Sequence, residues 1–430
     1  MRTRYSLLIR GGRLIDPAAG LDAPMDLLLR DGRVAQVAEP DEIRGTADEI
    51  INASGMIVAP GFIDLHVHLR QPGQSHKETI ATGTAAAVAG GFTSVCAMPN
   101  TVPVNDTPDI TSWMQHPERK AVTNVFPVAA ATVGSRGESL TDYAALKRAG
   151  AVAVSDDGRP VLDSNMMRGA LIAAKMEGIP VIQHAEDTRL SLGGSMNAGA
   201  SALRMGLRGI SAESEYRIIE RDCELAAETG GHLHVAHIST AGGVRAVRKA
   251  KAAGYNVSCE VTPHHFTLTD AEIKDYDTRY KMNPPLRSEA DRVAILAGIA
   301  DGTIDCIATD HAPHAYHEKE VEFDRSAFGI TGLETALPLT LAALHRDQKL
   351  PLSKIIALLT SNAARIIGKN NLGTLVKGAH ADVVIFDPKK RWTFGANGSR
   401  SKSRNTPFDG WQMTGKVLTT IVSGKIVFQA

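Results

Sequence analysis

Short apolar runs alternate with longer Ala-rich amphipathic stretches through the middle of the chain, from about residue 60 to about residue 345. The short runs favour buried strands, and the stretches between them have the helical spacing of apolar positions. The pattern predicts eight strands, at 62–68, 92–98, 124–129, 151–155, 180–183, 232–237, 256–260 and 304–309. It also predicts eight helices, at 75–89, 109–116, 140–149, 165–177, 213–228, 243–253, 289–300 and 332–345.

Eight strand–helix units in succession predict an α/β fold of the (β/α)8 type, the TIM barrel. A doubly wound open sheet is the alternative for the same alternation. That fold normally carries a Gly-rich nucleotide-binding loop after an early strand, and neither GxGxxG nor GxxxxGK[ST] occurs in the chain. We therefore expect the closed barrel.

Both ends of the chain show a different sequence pattern, in which short strand-like runs are separated by turn dipeptides. Strand-like runs flank Gly11-Gly12 and Asp31-Gly32 near one end and Ser423-Gly424 near the other. Such dipeptides are typical of tight β-hairpin connections. We expect the two ends to pair into one small β-sandwich domain made of residues 1–55 plus 371–430, with the catalytic barrel spanning 56–370.

Composition narrows the function classes. The 430 residues include 47 Lys and Arg against 47 Asp and Glu, and this balance argues against a nucleic-acid or anionic-membrane binder. Four scattered cysteines with no CxxC pair predict buried free thiols rather than a zinc knuckle or a disulfide framework. The first residues lack the apolar run of a secretory signal, so a cytoplasmic protein is expected.

Titratable residues stand at five of the eight predicted strand ends. Because the carboxyl ends of barrel strands meet at one mouth, these side chains should converge there. They are His66, His68, Asp156, Asp157, His184, His237 and Asp310. Nitrogen and oxygen ligands suit Zn²⁺, with Mn²⁺, Co²⁺ or Fe²⁺ less favoured. The number of ligands exceeds one tetrahedral site, so we expect two metals sharing a carboxylate and activating water for hydrolysis.

Strand alternation sorts the candidates further. It favours Asp157 over Asp156 as the inward carboxylate, without excluding Asp156, since a strand end can bend. It places His232 and His234 on the helix-facing side, in structural roles. His264 and His265, after the seventh strand, are expected to support the site rather than to bind metal. Asp310 is also a candidate general base.

Polar residues on the same loops suggest a substrate pocket. Arg70 offers a planar fork for a carboxylate, and Asn100, Asn283 and His314 offer further polar groups. Together they predict a small, anionic, amide-like substrate. Each could instead be an ordinary loop residue, and both asparagines adjoin a proline in good turn contexts.

Six segments carry a family resemblance. They are residues 60–70 (PGFIDLHVHLR), 98–101 (MPNT), 155–158 (SDDG), 282–286 (MNPPL), 308–314 (ATDHAPH) and 401–407 (SKSRNTP). The first resembles the opening signature of the cyclic amidohydrolases. The whole set resembles the class I dihydroorotases of bacteria over nearly the full chain, and the SDDG and ATDHAPH segments are the more specific ones.

The resemblance implies reversible cyclisation of N-carbamoyl-L-aspartate to L-dihydroorotate in pyrimidine biosynthesis, through a zinc-bound hydroxide. It implies that His66, His68 and Asp310 bind one zinc, that His184 and His237 bind a second, and that Asp157 bridges them. It gives Asp310 the general acid/base role. The substrate binders that it implies are Arg70, Asn100, Asn283, His314, Phe328 and Gly329, with a mobile loop over 311–329 closing on the substrate.

Two alternatives stay open. Dihydropyrimidinases and allantoinases share the fold, but they usually bridge their metals with a carboxylated lysine near the fourth strand, and the nearest upstream lysine here is Lys147. Some homologues have lost metal ligands and serve only as partners of aspartate transcarbamoylase, whereas all six matched positions are filled here. A homodimer and a complex with aspartate transcarbamoylase are the protein partners considered.

Overall fold

The computed structural model describes residues 5–430, and the first four residues of the predicted small domain lie outside them. The strands are β1 Ser6–Asp16, β2 Leu21–Arg30, β3 Arg33–Ala38, β4 Glu49–Asn52, β5 Ile57–Pro60, β6 Phe62–Val67, β7 Phe92–Ala97, β8 Asn124–Ala129, β9 Ala153–Val154, β10 Val181–Gln183, β11 Met196–Asn197, β12 Gly209–Ile210, β13 Leu233–Val235, β14 Val257–Val261, β15 Cys306–Ile307, β16 Val383–Thr393, β17 Gln412–Val422 and β18 Lys425–Gln429.

The helices lie mainly between the strands of the central part. They are α1 Ile80–Ala89, α2 Pro108–Met114, α3 Tyr143–Arg148, α4 Ser164–Glu177, α5 Thr188–Ser191, α6 Ala200–Met205, α7 Glu213–Thr229, α8 Ala241–Ala252, α9 Pro263–Thr267, α10 Glu289–Asp301, α11 Tyr316–Lys319, α12 Ala336–Thr340, α13 Leu352–Leu359 and α14 Ser361–Ile366. Helix α12 continues as a π-helix over Leu341–Asp347. Among the helices of the described residues, none is both long and apolar enough to cross a membrane.

Eight strands form a parallel barrel in chain order, from β6 through β7, β8, β9, β10, β13 and β14 to β15. The first and last strands meet through a parallel bridge between Val67 and His311, and His68 N donates to His311 O at 2.9 Å. Every predicted barrel strand and helix overlaps an observed one. The prediction of a (β/α)8 barrel is confirmed.

Apolar side chains form two layers around the barrel strands. Small and medium side chains such as Ala153 and Ile182 face the interior, which also holds the buried polar side chains of His234 and Glu260. The outer faces pack against the helices in a larger cluster, which includes Phe92 and Val235. The strand ends form the mouth of the barrel, where a (β/α)8 fold carries its site residues.

The two ends of the chain form one continuous mixed sheet, in the order β18–β17–β16–β5–β1–β2–β3, with β4 paired to β1. The seam between the ends is the antiparallel pairing of β16 with β5, which itself pairs in parallel with β1. The prediction that both ends build one β domain is confirmed. The sheet includes Ile57–Pro60, and the division into residues 1–55 plus 371–430 and 56–370 stays a prediction.

Local capping decides where the barrel helices begin. Thr79 caps α1 by accepting from Thr82 N at 3.0 Å, so the helix begins at residue 80 rather than at the predicted residue 75. Asp163 caps α4 through Met166 N at 2.8 Å, and Gly178 ends that helix with a left-handed φ of 63°. These caps set the lengths of the loops that follow each strand at the mouth.

Candidate metal centre

Five barrel strands deliver six titratable side chains to one mouth of the barrel. His66 lies in β6 and His68 just beyond it, and the other four follow the ends of β9, β10, β13 and β15. None of the six is more than 6% exposed: His66, His68, Asp157, His184, His237 and Asp310. The site residues predicted as metal ligands therefore lie together, although 242 positions separate His68 from Asp310.

Asp157 lies between two groups of imidazoles. Its carboxylate is 3.4 Å from His66 Nε2 and 3.6 Å from His68 Nε2 on one side. On the other side it is 3.7 Å from His184 Nδ1 and 3.9 Å from His237 Nε2. Asp157 thus belongs to two of the sets of three ligand atoms that lie within 4.8 Å of one another. This is the position that a carboxylate shared between two cations would occupy.

Asp310 closes the same cluster from the eighth strand. Its Oδ1 lies 3.0 Å from His68 Nε2 and 3.6 Å from His66 Nε2. Asp156, in contrast, points away, because its Oδ1 accepts from Thr132 N at 3.0 Å. Of the two adjacent aspartates, only Asp157 faces the cluster.

The outward ring nitrogens of three histidines are held by acceptors. His66 Nδ1 is 3.0 Å from Glu260 Oε1, His68 Nδ1 is 2.9 Å from Asn100 Oδ1, and His184 Nε2 is 3.0 Å from Glu186 Oε2. Each acceptor keeps the proton on the outward nitrogen and leaves the inward lone pair free. His66 Nε2 is accordingly buried without a hydrogen-bond partner among the described residues. This donor set fits a metal.

The two aspartates bring negative charge to a site that excludes water. Burial alone would raise the pKa of both carboxyls, but the neighbouring imidazoles outweigh it and hold the pKa of Asp157 and of Asp310 well below the usual range. At His66, burial would lower the pKa, and Asp310 and Asp157 raise it well above its ordinary value instead. The negative charge of the two carboxylates, which raises the pKa of His66, would equally stabilise a bound cation.

The backbone turns sharply where the site residues stand. The φ angle is 59° at Arg70, 31° at His237 and 44° at Asp310. Residues other than glycine rarely adopt this left-handed conformation, which is typical of strained functional sites. Each residue lies two or three positions beyond its strand, so the alternation of the strand does not decide where its side chain points.

One prediction from strand alternation is wrong. His234 was expected to face the helices, but Leu233 and Val235 pack there, and His234 points into the barrel. Its Nε2 lies 3.1 Å from Glu260 Oε2 and its Nδ1 lies 2.8 Å from Ser258 Oγ. His234 therefore supports the carboxylate that orients His66.

The two histidines after β14 stay outside the sets of three ligand atoms. His265 Nδ1 is 2.8 Å from Thr262 Oγ1, and its Nε2 is 3.0 Å from Pro284 O. His264 is buried beside it, with ring centroids 4.5 Å apart. Both rings are buried.

A cavity of about 300 Å³ opens above the cluster. The predicted substrate binders line it, namely Arg70, Asn100, Asn283, His314 and Phe328. Arg70 is 8% exposed, donates from Nε to Pro313 O at 3.1 Å and donates from Nη2 to His314 Nε2 at 3.2 Å. Its Nη1 makes no hydrogen bond within residues 5–430 and faces no competing carboxylate in a salt bridge there.

The His314 ring is neutral. Burial, followed by the charges of Arg70 and Lys77, lowers the pKa of His314 to about 3. A neutral ring can accept from Arg70 through Nε2. The pair therefore presents one positive charge, carried by the guanidinium, to the cavity.

The two asparagines are engaged inside the site. Asn100 joins His68 Nδ1 to Asp157, to which its Nδ2 donates at 3.0 Å. Asn283 Nδ2 donates to Glu186 Oε2 at 3.1 Å. Both amides thus orient the histidine–aspartate cluster as well as lining the cavity.

Phe328 and Gly329 differ in what they offer to the cavity. Gly329 N donates to Lys281 O at 2.9 Å, and Gly329 O accepts from Asn405 Nδ2 at 3.0 Å. The backbone of Phe328 makes no hydrogen bond to any of the described residues. Of this pair, Phe328 is the residue whose backbone is free to meet a ligand.

Sequence reasoning missed two carboxylates that hold the histidines, the buried Glu260 and the partly buried Glu186. Glu260 is fully buried, and although burial alone would raise its pKa, His234 and His66 lower the pKa to about 2. Glu186 behaves alike beside His184, with a pKa of about 2. The signal was present, since Glu260 lies in the seventh strand and Glu186 stands two residues after His184.

Comparison with known proteins agrees with the family resemblance of the sequence segments. A family model described as Dihydro-orotase-like matches residues 55–242, and one described as Amidohydrolase family matches residues 299–428. A dihydroorotase from Geobacter sp. (strain M21) is 50% identical over 430 residues, which cover 99% of this chain and 100% of that protein. A dihydroorotase from Solibacter usitatus (strain Ellin6076) is 50% identical and covers 97% of each chain.

Solved structures share the fold at lower identity. An L-hydantoinase (dihydropyrimidinase) from Arthrobacter aurescens superposes with a TM-score of 0.87 at 24% identity, covering 99% of this chain and 96% of that one. A dihydropyrimidinase from Brevibacillus agri NCHU1002 superposes with a TM-score of 0.84 at 23% identity, covering 99% and 95%. The hydantoinase and dihydropyrimidinase structures share the fold with this chain at low identity. The two dihydroorotases, in contrast, are 50% identical to it over nearly their whole length. The chain belongs to the dihydroorotase family of the amidohydrolases.

Proposed function

We propose that the chain catalyses the reversible conversion of N-carbamoyl-L-aspartate to L-dihydroorotate and water. The observation that carries the proposal is the buried cluster of four histidines and two aspartates beneath a cavity whose positive charge is Arg70. Relatives that are 50% identical over nearly the whole chain are dihydroorotases. The test is an assay of both directions with the purified chain, and no turnover of either compound by metal-loaded protein would overturn it.

The cluster is proposed to hold two zinc ions, one by His66, His68 and Asp310 and one by His184 and His237, with Asp157 shared. The position of Asp157 between both pairs of imidazoles supports this assignment. Zinc bound there supplies a Lewis acid that polarises a carbonyl and makes water more acidic. Elemental analysis should find two zinc ions per chain, and fewer than one in an Asp157→Ala variant. A single ion in the unaltered chain would contradict the sharing.

Asp310 is proposed to carry the proton. Its pKa lies well below the usual range, so the carboxylate enters the reaction as a base. In hydrolysis it takes a proton from the attacking water and delivers it to the ring nitrogen as the C–N bond breaks. In cyclisation it accepts the proton of the carbamoyl nitrogen as that nitrogen attacks the side-chain carboxyl carbon. It returns the proton to the oxygen whose bond to that carbon breaks, and a second proton from solvent lets this oxygen leave as water.

Arg70 and His314 are proposed to bind the carboxylate that the ring carries, and Asn100 and Asn283 to border the ring. The free Nη1 of Arg70 and the buried setting of its guanidinium support a charge-assisted hydrogen bond to an anion. The free backbone of Phe328 supports a contact with the ring amide, with Gly329 shaping the turn. Arg70→Lys should raise KM, because the bidentate fork is lost.

A hydantoinase or allantoinase activity is the second candidate, favoured by the solved structures that share the fold. A neutral ring gives Arg70 no partner. Lys147, the nearest lysine before the fourth strand, donates from α3 to Glu177 O on the surface, away from the cluster. Assays of dihydroorotate beside dihydrouracil and allantoin separate the two, and faster turnover of either neutral ring would favour this candidate.

A homodimer, a complex with aspartate transcarbamoylase, mobility of loop 311–329 and a cytoplasmic location stay predictions. Light scattering of the purified chain, alone and with a transcarbamoylase added, tests the first two directly. Full activity of the monomeric chain without a partner would contradict any requirement for a complex.

A further inference from the structure

The segment 401–407 crosses the barrel mouth although it comes from the far end of the chain. It is anchored on the barrel by Glu78, whose buried carboxylate accepts from Ser401 Oγ and, at 3.0 Å, from Lys402 N. Ser403 Oγ adds a hydrogen bond to Lys77 O at 2.7 Å. The proposed chemistry gives this segment no role, so its place at the mouth needs another explanation.

Asn405 is the residue of this segment that reaches the substrate side. It is 5% exposed, and its amide is fully used. Its Oδ1 accepts from His314 N at 3.0 Å, and its Nδ2 donates to Ala312 O at 2.9 Å and to Gly329 O at 3.0 Å. One side chain therefore joins the two loop segments that border the cavity.

One backbone hydrogen bond joins these loop segments directly, from Ala312 N to Ile330 O at 3.0 Å, and the amide of Asn405 adds three more. Neither forms a helix or a strand, and the three bonded backbone groups are buried beside the cavity. The segments touch closely, since a Cβ atom added at Gly329 would lie 2.7 Å from His314 Cδ2. Without the amide, His314 N and Ala312 O would lose their partners, Gly329 O would keep only Lys319 Nζ at 3.2 Å, and both segments would shift to recover the lost bonds.

We propose that Asn405 is a positioning residue that sets the distance between His314 and the Phe328–Gly329 turn, and thereby the binding of the substrate carboxylate. The inference rests on the proposed function of His314 and Arg70. It predicts that loss of Asn405 weakens substrate binding while leaving the proton transfer at Asp310 intact, because Asp310 is held by His68 and the metal-ligand cluster.

The test compares Asn405→Ala with a matched control, Thr406→Val. Thr406 is the next residue, is 1% exposed, and uses its Oγ1 only within its own segment, toward Phe408 N at 3.3 Å. We expect Asn405→Ala to raise KM for dihydroorotate about tenfold or more with kcat within about threefold. The reason is that the lost interaction stabilises the bound substrate and the transition state equally. Thr406→Val should change neither. An equal loss of kcat in both variants would overturn the inference.

A double-mutant cycle separates this inference from the function on which it rests. In a His314→Ala background, Asn405→Ala should raise KM less than about threefold further, because the two residues act on one contact. If His314→Ala leaves KM unchanged, the proposed carboxylate site fails. If His314→Ala raises KM but Asn405→Ala does not, only the positioning role fails.

Asn405→Asp carries the test if the alanine variant does not purify folded. Aspartate keeps the volume and the acceptor for His314 N but loses both donors to the carbonyls of Ala312 and Gly329. We expect a KM increase of at least tenfold, and an unchanged KM would overturn the role of these two hydrogen bonds.

Discussion

Buried carboxylates decide how the histidines of the cluster present their nitrogens. Glu260 shows this most clearly, because it contacts His66 Nδ1 at 3.0 Å and His234 Nε2 at 3.1 Å without touching the cavity. A neutral imidazole has one protonated nitrogen, so holding the outward one leaves the inward one to bind a cation. The proposed metal site therefore depends on residues that are not among its proposed ligands.

Replacing Glu260 with glutamine should weaken metal binding about 10–100-fold, because the acceptor stays but its charge is lost. Competition with a chromophoric chelator measures the affinity. Asp382→Asn is the control, since Asp382 is an equally buried carboxylate that bonds Ser423 N in the terminal sheet. Unchanged affinity in Glu260→Gln would show that His66 is oriented by its packing alone.

Asp310→Asn should reduce kcat by at least about 10³-fold while the protein stays folded, because the amide keeps the shape of the carboxylate but cannot accept the proton. Steady-state rates and a thermal melt measure the two effects. Asp156→Asn provides the control, since that carboxylate bonds Thr132 and faces away from the cluster. A rate within tenfold of the unaltered chain would remove Asp310 from the proton transfer.

Loops, rather than strands, carry the residues that line the substrate side of the site. Two buried lysines hold the loop after β15 in place. Lys281 Nζ donates to Phe323 O at 2.7 Å and to Asp324 O at 3.0 Å. Lys319 Nζ donates to Ala327 O at 2.8 Å and to Gly329 O at 3.2 Å. The loop carbonyls have no neighbouring strand to donate hydrogen bonds to them, so the lysine amines supply these hydrogen bonds instead.

Lys319→Met should loosen residues 323–329, because methionine fills the space of the side chain but leaves the carbonyls without donors. Hydrogen exchange followed by mass spectrometry should show faster exchange in this loop and unchanged exchange in β6–β8. Lys354→Met is the control, since Lys354 also donates to a carbonyl, that of Ala300, but is only partly buried on α13 and its hydrogen bond is exposed to solvent. Equal exchange in both variants would assign the order of the loop to other contacts.

The molecule as a whole is held together by contacts between its two ends. Asp16 is 1% exposed, and its Oδ2 accepts from Leu375 N at 2.6 Å and from Thr374 Oγ1 at 2.8 Å. A residue of β1 thereby holds the segment that leads into β16. The terminal sheet then packs on the barrel through contacts such as Phe386 with Phe62, at 6.2 Å between ring centroids.

Asp16→Ala should lower the free energy of unfolding by about 2–4 kcal/mol, because buried donors from the C-terminal part lose their acceptor. Chemical denaturation measures the change. Asp22→Ala is the matched control in the same sheet, since the Arg13–Asp22 ion pair is exposed and is expected to contribute less than about 1 kcal/mol. An equal, small effect of both variants would mean that the ends are joined by strand pairing alone.

The barrel could be predicted from local patterns, because each strand–helix unit repeats the same change in the spacing of apolar positions, from that of a strand to that of a helix. The strand predicted at 124–129 is observed over the same residues, and the helix predicted at 165–177 is observed at Ser164–Glu177. The prediction failed for His234, where alternation was counted back from His237. His237 has a φ of 31°, so the chain had already left strand geometry at the residue used as the reference.

The order of strands, the residue types at their ends and the pairing of both termini follow from the sequence, because hydrophobic period, turn dipeptides and ligand chemistry are local properties. The tertiary structure alone decided that Glu260 and Glu186 hold histidines of the cluster, that Asn100 joins His68 to Asp157, and that Asn405 reaches His314 across 91 positions. Such contacts depend on how the closed barrel and the loops that cross its mouth pack in space. The local spacing of apolar residues carries no information about contacts between residues that are distant in the sequence.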